Sequence, residues 1–149
     1  MSPQDPGASA APRVSVLPTL RCRDAAAMVA WLVRVFGFEE RLVVPGEEGA
    51  VVHAQLTFGN GLVMLGQAAE SEWDELVRPG AGGQSVYVVV PDVDAHCARA
   101  RAEGAEVVVE PADQEYGGRF WAGRDLEGAV WGFGTYDPFG SGDPGDPGS

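Results

Sequence analysis

A chain of 149 residues that is 45% hydrophobic and 21% charged carries enough apolar material for one packed domain, or for two small halves sharing a core. Its formal net charge of -12, with 10 Lys and Arg against 22 Asp and Glu, argues against a nucleic-acid partner, because neutralising phosphates needs clustered cations. No run of 18 apolar residues occurs, and the opening MSPQDPGASAAP lacks the basic start and apolar stretch of a secretory signal, so a cytoplasmic protein without a membrane partner is expected.

Met1 to Pro12 reads as a flexible leader, small, polar and proline-containing. Val14 to Cys22 reads as a strand, with Pro18 marking an edge, a bulge or a strand opening. Asp24 is placed to cap a helix in which Met28, Trp31, Leu32, Val35 and Phe36 recur at helical spacing, and Gly37 ends it. Phe38 to Val44 reads as a strand, 45–49 as a loop, and Val51 to Phe58 with Leu62 to Leu65 as a hairpin turning at Asn60-Gly61. The acidic, then glycine-rich connector that follows has room for one helical turn. Ser85 to Val90 is again a strand, Asp92 opens a second helix through Glu103, and Gly104 closes it before the strand Glu106 to Glu110. A last hairpin pairs Arg119 to Arg124 with Ala129 to Phe133 across the turn Asp125 to Gly128. Cys22 and Cys97 fall inside elements, so buried free thiols are expected and neither a disulfide frame nor a zinc motif is present.

The chain repeats itself. The helix-ending glycines Gly37 and Gly104 lie 67 positions apart, as do the turn glycines Gly61 and Gly128, and the helix-opening Asp24 and Asp92 lie 68 apart. A strand-helix-strand-strand-strand unit is therefore duplicated: module one 14–67, linker 68–83 and module two 84–137, with a disordered tail at 138–149. One such unit cannot bury both faces of its sheet alone.

That duplication, the stretch VYVVVPDVDAHCARARAEGAEVV and the terminal RDLEGAVWGFGTY resemble the glyoxalase / bleomycin resistance / dioxygenase superfamily, the vicinal oxygen chelate fold, from Val14 to about Tyr136. The resemblance implies an α+β fold of duplicated βαβββ modules, a partly open mixed β-barrel around a cavity with the helices outside, and a homodimer. Metal-dependent members bind one divalent cation through four cavity residues. The matching positions here are Leu17, Met64 or Leu65, Ser85 and Gly132, which offer no usable ligand set, so neither a metal nor another cofactor is expected. His96 sits on the second helix, outside the cavity, which leaves His53 with Gln55 beside it.

Strand alternation turns Thr19 and Arg21, then His53, Gln55 and Thr57, toward the cavity in the first half. In the second half it turns Ser85, Tyr87, Phe120, Ala122 and Arg124 the same way, with Val130, Gly132 and Gly134 behind them to leave room for a planar ligand. Phe120 has core packing as its alternative use, Arg124 an ion pair with Asp125 that braces the turn, and His53 a structural role. Trp121, Trp131 and Phe133, of opposite parity, are expected under a helix. Two function classes are open. One is a metal-free protein that sequesters an aromatic or cationic small molecule, as drug-resistance members of the superfamily do. The other is a lyase- or isomerase-type enzyme on a small carbonyl substrate, with His53 and Tyr87 as acid/base groups, with or without a divalent metal. The loop from Glu70 to Glu75 could fold over the opening with Trp73 as a lid.

Overall fold

The computed structural model describes residues 14–140, so the leader and the tail from 141 onward lie outside the described residues. In the first half, β1 (Thr19–Cys22), α1 (Ala25–Trp31), β2 (Glu39–Pro45), β3 (Val51–Phe58) and β4 (Gly61–Gln67) follow one another. After α2 (Glu72–Leu76), the second half repeats the series as β5 (Val86–Val89), α3 (Val93–Ala102), β6 (Glu106–Asp113), β7 (Arg119–Arg124) and β8 (Val130–Gly134). Each half folds into a four-stranded mixed sheet, ordered β1-β4-β3-β2 and β5-β8-β7-β6. In each, the first strand runs parallel to the fourth and the remaining pairs are antiparallel. The α+β fold is as expected, and no strand pairing joins the two sheets into a closed barrel among the described residues.

Both helix starts follow from their caps. The Asp24 carboxylate accepts from the Ala27 amide at 3.1 Å and that of Asp92 from the Ala95 amide at 3.0 Å. The closing residues Gly37 and Gly104 have φ of 87° and 96°, a left-handed conformation that glycine adopts without a Cβ clash. Pairing confirms the repeat length, because Thr19 faces Met64 in one sheet and Val86 faces Trp131 in the other, each 67 positions on.

Several expectations need correction. The first strand begins at Thr19, not Val14, and β6 continues to Asp113. The first hairpin does not turn at Asn60-Gly61: Phe58 pairs with Gly61, so the loop is Gly59-Asn60, with the positive φ of 58° at Gly59. Arg124 pairs with Val130 across a longer loop, so Gly61 and Gly128 are not equivalent positions. Finally, the first helix is not α-helical throughout. It ends in a π-helical turn over Leu32–Phe36, after which the amides of Gly37 and Phe38 both reach back to the Leu32 carbonyl.

That turn lies at the centre of one continuous core. Phe36 is fully buried, with ring centroids of Phe133 at 4.7 Å, Trp31 at 4.8 Å, Trp131 at 5.6 Å and Trp121 at 6.2 Å. Trp121, Trp131 and Phe133 are buried, as their parity required, and so are the free thiols Cys22 and Cys97. Burial, reinforced by the nearby carboxylates of Glu127 and Asp125, pushes the Cys22 thiol up to about 12, which leaves it unreactive.

The second half also completes both ends of the first helix. Glu127 accepts the amides of Arg23 and Asp24 at 2.7 and 2.9 Å, just ahead of α1. At the other end, Arg99 donates to the carbonyls of Val33 and Arg34, and His96 Nε2 lies 2.8 Å from the Phe36 carbonyl. Trp121 Nε1 donates to His96 Nδ1 at 3.1 Å, which assigns the proton to Nε2 of a neutral ring. Burial pushes the His96 pKa down, with Arg99 adding to the effect, consistent with that neutral form.

Candidate functional site

The second sheet presents a flat aromatic surface on the face away from its helix. Tyr87 reaches in from β5 and Phe120 from β7, and the two rings converge over β8, the strand between them. Their centroids are 6.3 Å apart and their planes differ by only 9°. They lie flat because β8 has no side chain beneath them. A Cβ on Gly132 would stand 2.7 Å from the Phe120 ring, and one on Gly134 would stand 2.5 Å from the Tyr87 hydroxyl. The space expected above these glycines for a ligand is therefore filled by the protein's own rings, and any planar ligand has to sit on top of them.

Tyr87 is a fixed part of this surface. Its hydroxyl donates to the Tyr136 carbonyl at 2.7 Å, and burial first, then the Tyr116 phenol, pushes its pKa up to about 12. A phenol held protonated, with its proton committed to a carbonyl, is a poor acid/base group near neutral pH. Arg124 donates to the Gly128 carbonyl at 2.8 Å and lies 3.6 Å from Glu106, so it braces the last hairpin without the expected Asp125 pair. Asp125 turns inward instead. It accepts the Trp131 indole N–H at 2.9 Å and the amides of Glu127 and Ala129 at 2.9 and 3.0 Å.

The residues expected to form one pocket divide between two clefts. A cleft of about 570 Å³ opens between β1 and β5, with Thr19 and Arg21 on one wall, Ser85 and Tyr87 on the other, and linker residues from Val77 to Gly83 along its border. A second, of about 430 Å³, lies on the first sheet, where Gln55 and Thr57 face Leu17 and Met64. Arg41, which strand alternation did not single out, lines it too and donates to Gln55 Oε1 at 3.0 Å. His53 stands half-buried on β3 between Val44 and Gly66 and lines neither cleft, nor do Phe120 and Arg124. The two sheets thus keep His53 and Tyr87 in separate surroundings.

Arg21 is already engaged. Its Nε and Nη2 donate to Asp74 Oδ1 at 2.9 and 2.6 Å, and Nη2 also reaches the Gln67 carbonyl at 2.7 Å. Gly66 makes this possible, since a Cβ there would overlap Arg21 Nη1. Asp74 sits on α2, 53 positions along the chain from Arg21, a separation no local pattern reveals.

A divalent cation does not suit this donor set. Leu17 and Met64 supply no hard donor, Gly132 lies under Phe120, and the Ser85 hydroxyl alone cannot hold a metal. Among the described residues no three His, Cys, Asp or Glu side chains come together as a metal site.

Comparison with known proteins gives a consistent picture. Residues 14–141 match the family model of the Glyoxalase/Bleomycin resistance protein/Dioxygenase superfamily. Protein Mb0911c of Mycobacterium bovis is 32% identical over 121 residues, spanning 78% of this chain and 80% of that one. Among solved structures, TioX from Micromonospora sp. ML1 superposes with a TM-score of 0.67 at 38% identity, covering 81% of this chain and 97% of TioX. TnmS3, described as an antibiotic binding protein from Streptomyces sp. CB03234, shares the fold at a TM-score of 0.63 and 23% identity, covering 81% and 95% of the two chains. With the family model spanning all of the described residues and a duplicated βαβββ unit in the structure, the chain belongs to the Glyoxalase/Bleomycin resistance protein/Dioxygenase superfamily.

Proposed function

We propose that the protein is a metal-free binding protein that holds a planar aromatic small molecule and releases it unchanged. The observation that carries this reading is the surface made by Tyr87 and Phe120. Glycine weakens a strand, yet two of the five residues of β8 are glycine, and what they permit is two rings lying flat and side by side. Tyr87 remains 41% exposed, so the surface is open to a ligand. Thr19, Arg21 and Ser85 in the adjoining cleft supply polar groups to orient it. The fold is one that a protein described as antibiotic binding also has. Catalysis by His53 and Tyr87 draws less support, because they share no cleft and the Tyr87 hydroxyl is committed.

Stacking on an aromatic face is worth about 0.5 to 1.5 kcal/mol beyond burial, so Phe120→Ala should weaken an aromatic ligand about tenfold. Calorimetry of the wild type and Phe120→Ala against a panel of aromatic antibiotics, with and without chelator, checks this. Unchanged affinity in the variant, or affinity lost with chelator, would overturn the reading.

In the same proposal the modules are 14–67 and 84–137, joined by the linker 68–83, and the protein works in the cytoplasm as a homodimer. Leu42, Val44, Val89 and Val109 are exposed on the strands, and a second copy covering them would remove that apolar surface from water. Light scattering is expected to return about twice the 15.6 kDa chain mass, and a monomer at micromolar concentration would contradict it. The acidic chain takes neither nucleic acid nor membrane as partner in this reading.

A further inference from the structure

The short helix α2 is attached to the protein in an unusual way. From Ser71 to Leu76 every residue is exposed except Asp74, whose side chain is only 8% accessible. Trp73 and Leu76, the apolar members, are 54% and 77% exposed, so the helix buries no hydrophobic side chain. What docks it is the contact between Asp74 and Arg21. That contact is also incomplete as a guanidinium–carboxylate pair. Both Arg21 donors converge on Oδ1, while Oδ2 is held by the Ser71 hydroxyl at 2.5 Å. A free carboxylate could present both oxygens to the guanidinium fork, the stronger arrangement.

We propose that Arg21 is an anion subsite of the cleft between β1 and β5, that Asp74 occupies it in the absence of ligand, and that the ligand is a planar aromatic carboxylate whose anionic group displaces Asp74. The proposal rests on the binding function above and specifies its ligand. The other charged groups at the cleft agree with it. The carboxylates of Asp125 and Glu127 line the cleft but are taken up by backbone amides and the Trp131 indole, while Arg78 on the border adds a second cation. The Ser71 hydroxyl first, with Arg21, holds the Asp74 carboxyl below the usual carboxylate range, so it is an ionised competitor at neutral pH. In a chain of net charge -12 an anion gains nothing from the overall field, and its selection has to come from this local pair.

The test is calorimetry on the full-length protein with three probes of one ring system: 2-naphthoate, 2-naphthylmethanol and 2-naphthylmethylammonium. Removing the competitor with Asp74→Asn is expected to tighten naphthoate about tenfold and leave the alcohol within about twofold, the difference made by a charge-assisted fork. Adding Arg21→Gln to Asp74→Asn should cancel the naphthoate gain. No gain for naphthoate, an equal gain for all three probes, or a gain confined to the ammonium probe would each overturn the proposal. The two ideas fail separately. If the naphthoate gain survives while Phe120→Ala changes no affinity, the anion subsite stands and the aromatic surface is wrong; if the alcohol binds and needs Phe120 without any naphthoate gain, the reverse holds.

Discussion

Phe36→Ala is expected to cost about 3–5 kcal/mol, the range for deleting a fully buried phenylalanine. The ring touches both halves. It packs on Trp31 from its own helix and on Trp121, Trp131 and Phe133 from the second sheet, a shell of large rigid rings with little freedom to close the void. Urea denaturation followed by far-ultraviolet circular dichroism measures the loss. A cost below about 1 kcal/mol would mean that the core relaxes around the gap and that Phe36 does not join the halves.

Asp125→Ala is expected to cost about 3 kcal/mol, because three donors, the buried Trp131 indole and two part-buried amides, lose a charged acceptor at once, each such bond being worth about 1 kcal/mol or more. Asp125 is the buried charged residue of the core, and its carboxylate is the acceptor around which the last hairpin turns. Asparagine should rescue little of this. With its oxygen facing the two amides, its NH₂ group would point at the Trp131 N–H, donor against donor. Denaturation of both variants checks the point, and an Asp125→Asn protein as stable as wild type would show that the indole is satisfied some other way.

Local chemistry made most of the fold legible. Asp24 and Asp92 before their helices and Gly37 and Gly104 after them carry their signal within a few residues, and the structure places each cap where the sequence did. Strand parity was legible as well, since Trp121, Trp131 and Phe133 are buried while Thr19, Arg21, Ser85 and Tyr87 gather at one cleft. The turn at Gly59-Asn60 was misread because Gly59, Asn60 and Gly61 are all turn-forming residues, and which two form the loop depends on the pairing register of β3 and β4. The site was legible only in outline. Parity says which face a residue points to but not which sheets share a cavity, so His53 and Gln55 were pooled with Tyr87 and Phe120. It also says nothing of lateral reach, so the rings over Gly132 and Gly134, the Arg21–Asp74 contact and the π-helical turn could not be read from spacing.

The two halves are alike in topology but unequal in what they provide. Both helices start at their own aspartate caps, Asp24 and Asp92, but α1 is also held from the other half, by Glu127 ahead of its start and by Arg99 and His96 at its close. The consequence concerns synthesis. As the chain leaves the ribosome, the first half emerges with its Asp24 cap in place, but the carbonyls at the close of that helix meet His96 and Arg99 only 60 and 66 positions on, and the Arg23 and Asp24 amides meet Glu127 only 104 and 103 positions on. The N-terminal half is therefore finished in two stages, the close of its helix first and the stretch ahead of it last, and a ribosome that stops short of Glu127 releases a chain whose Arg23 and Asp24 amides lack their acceptor.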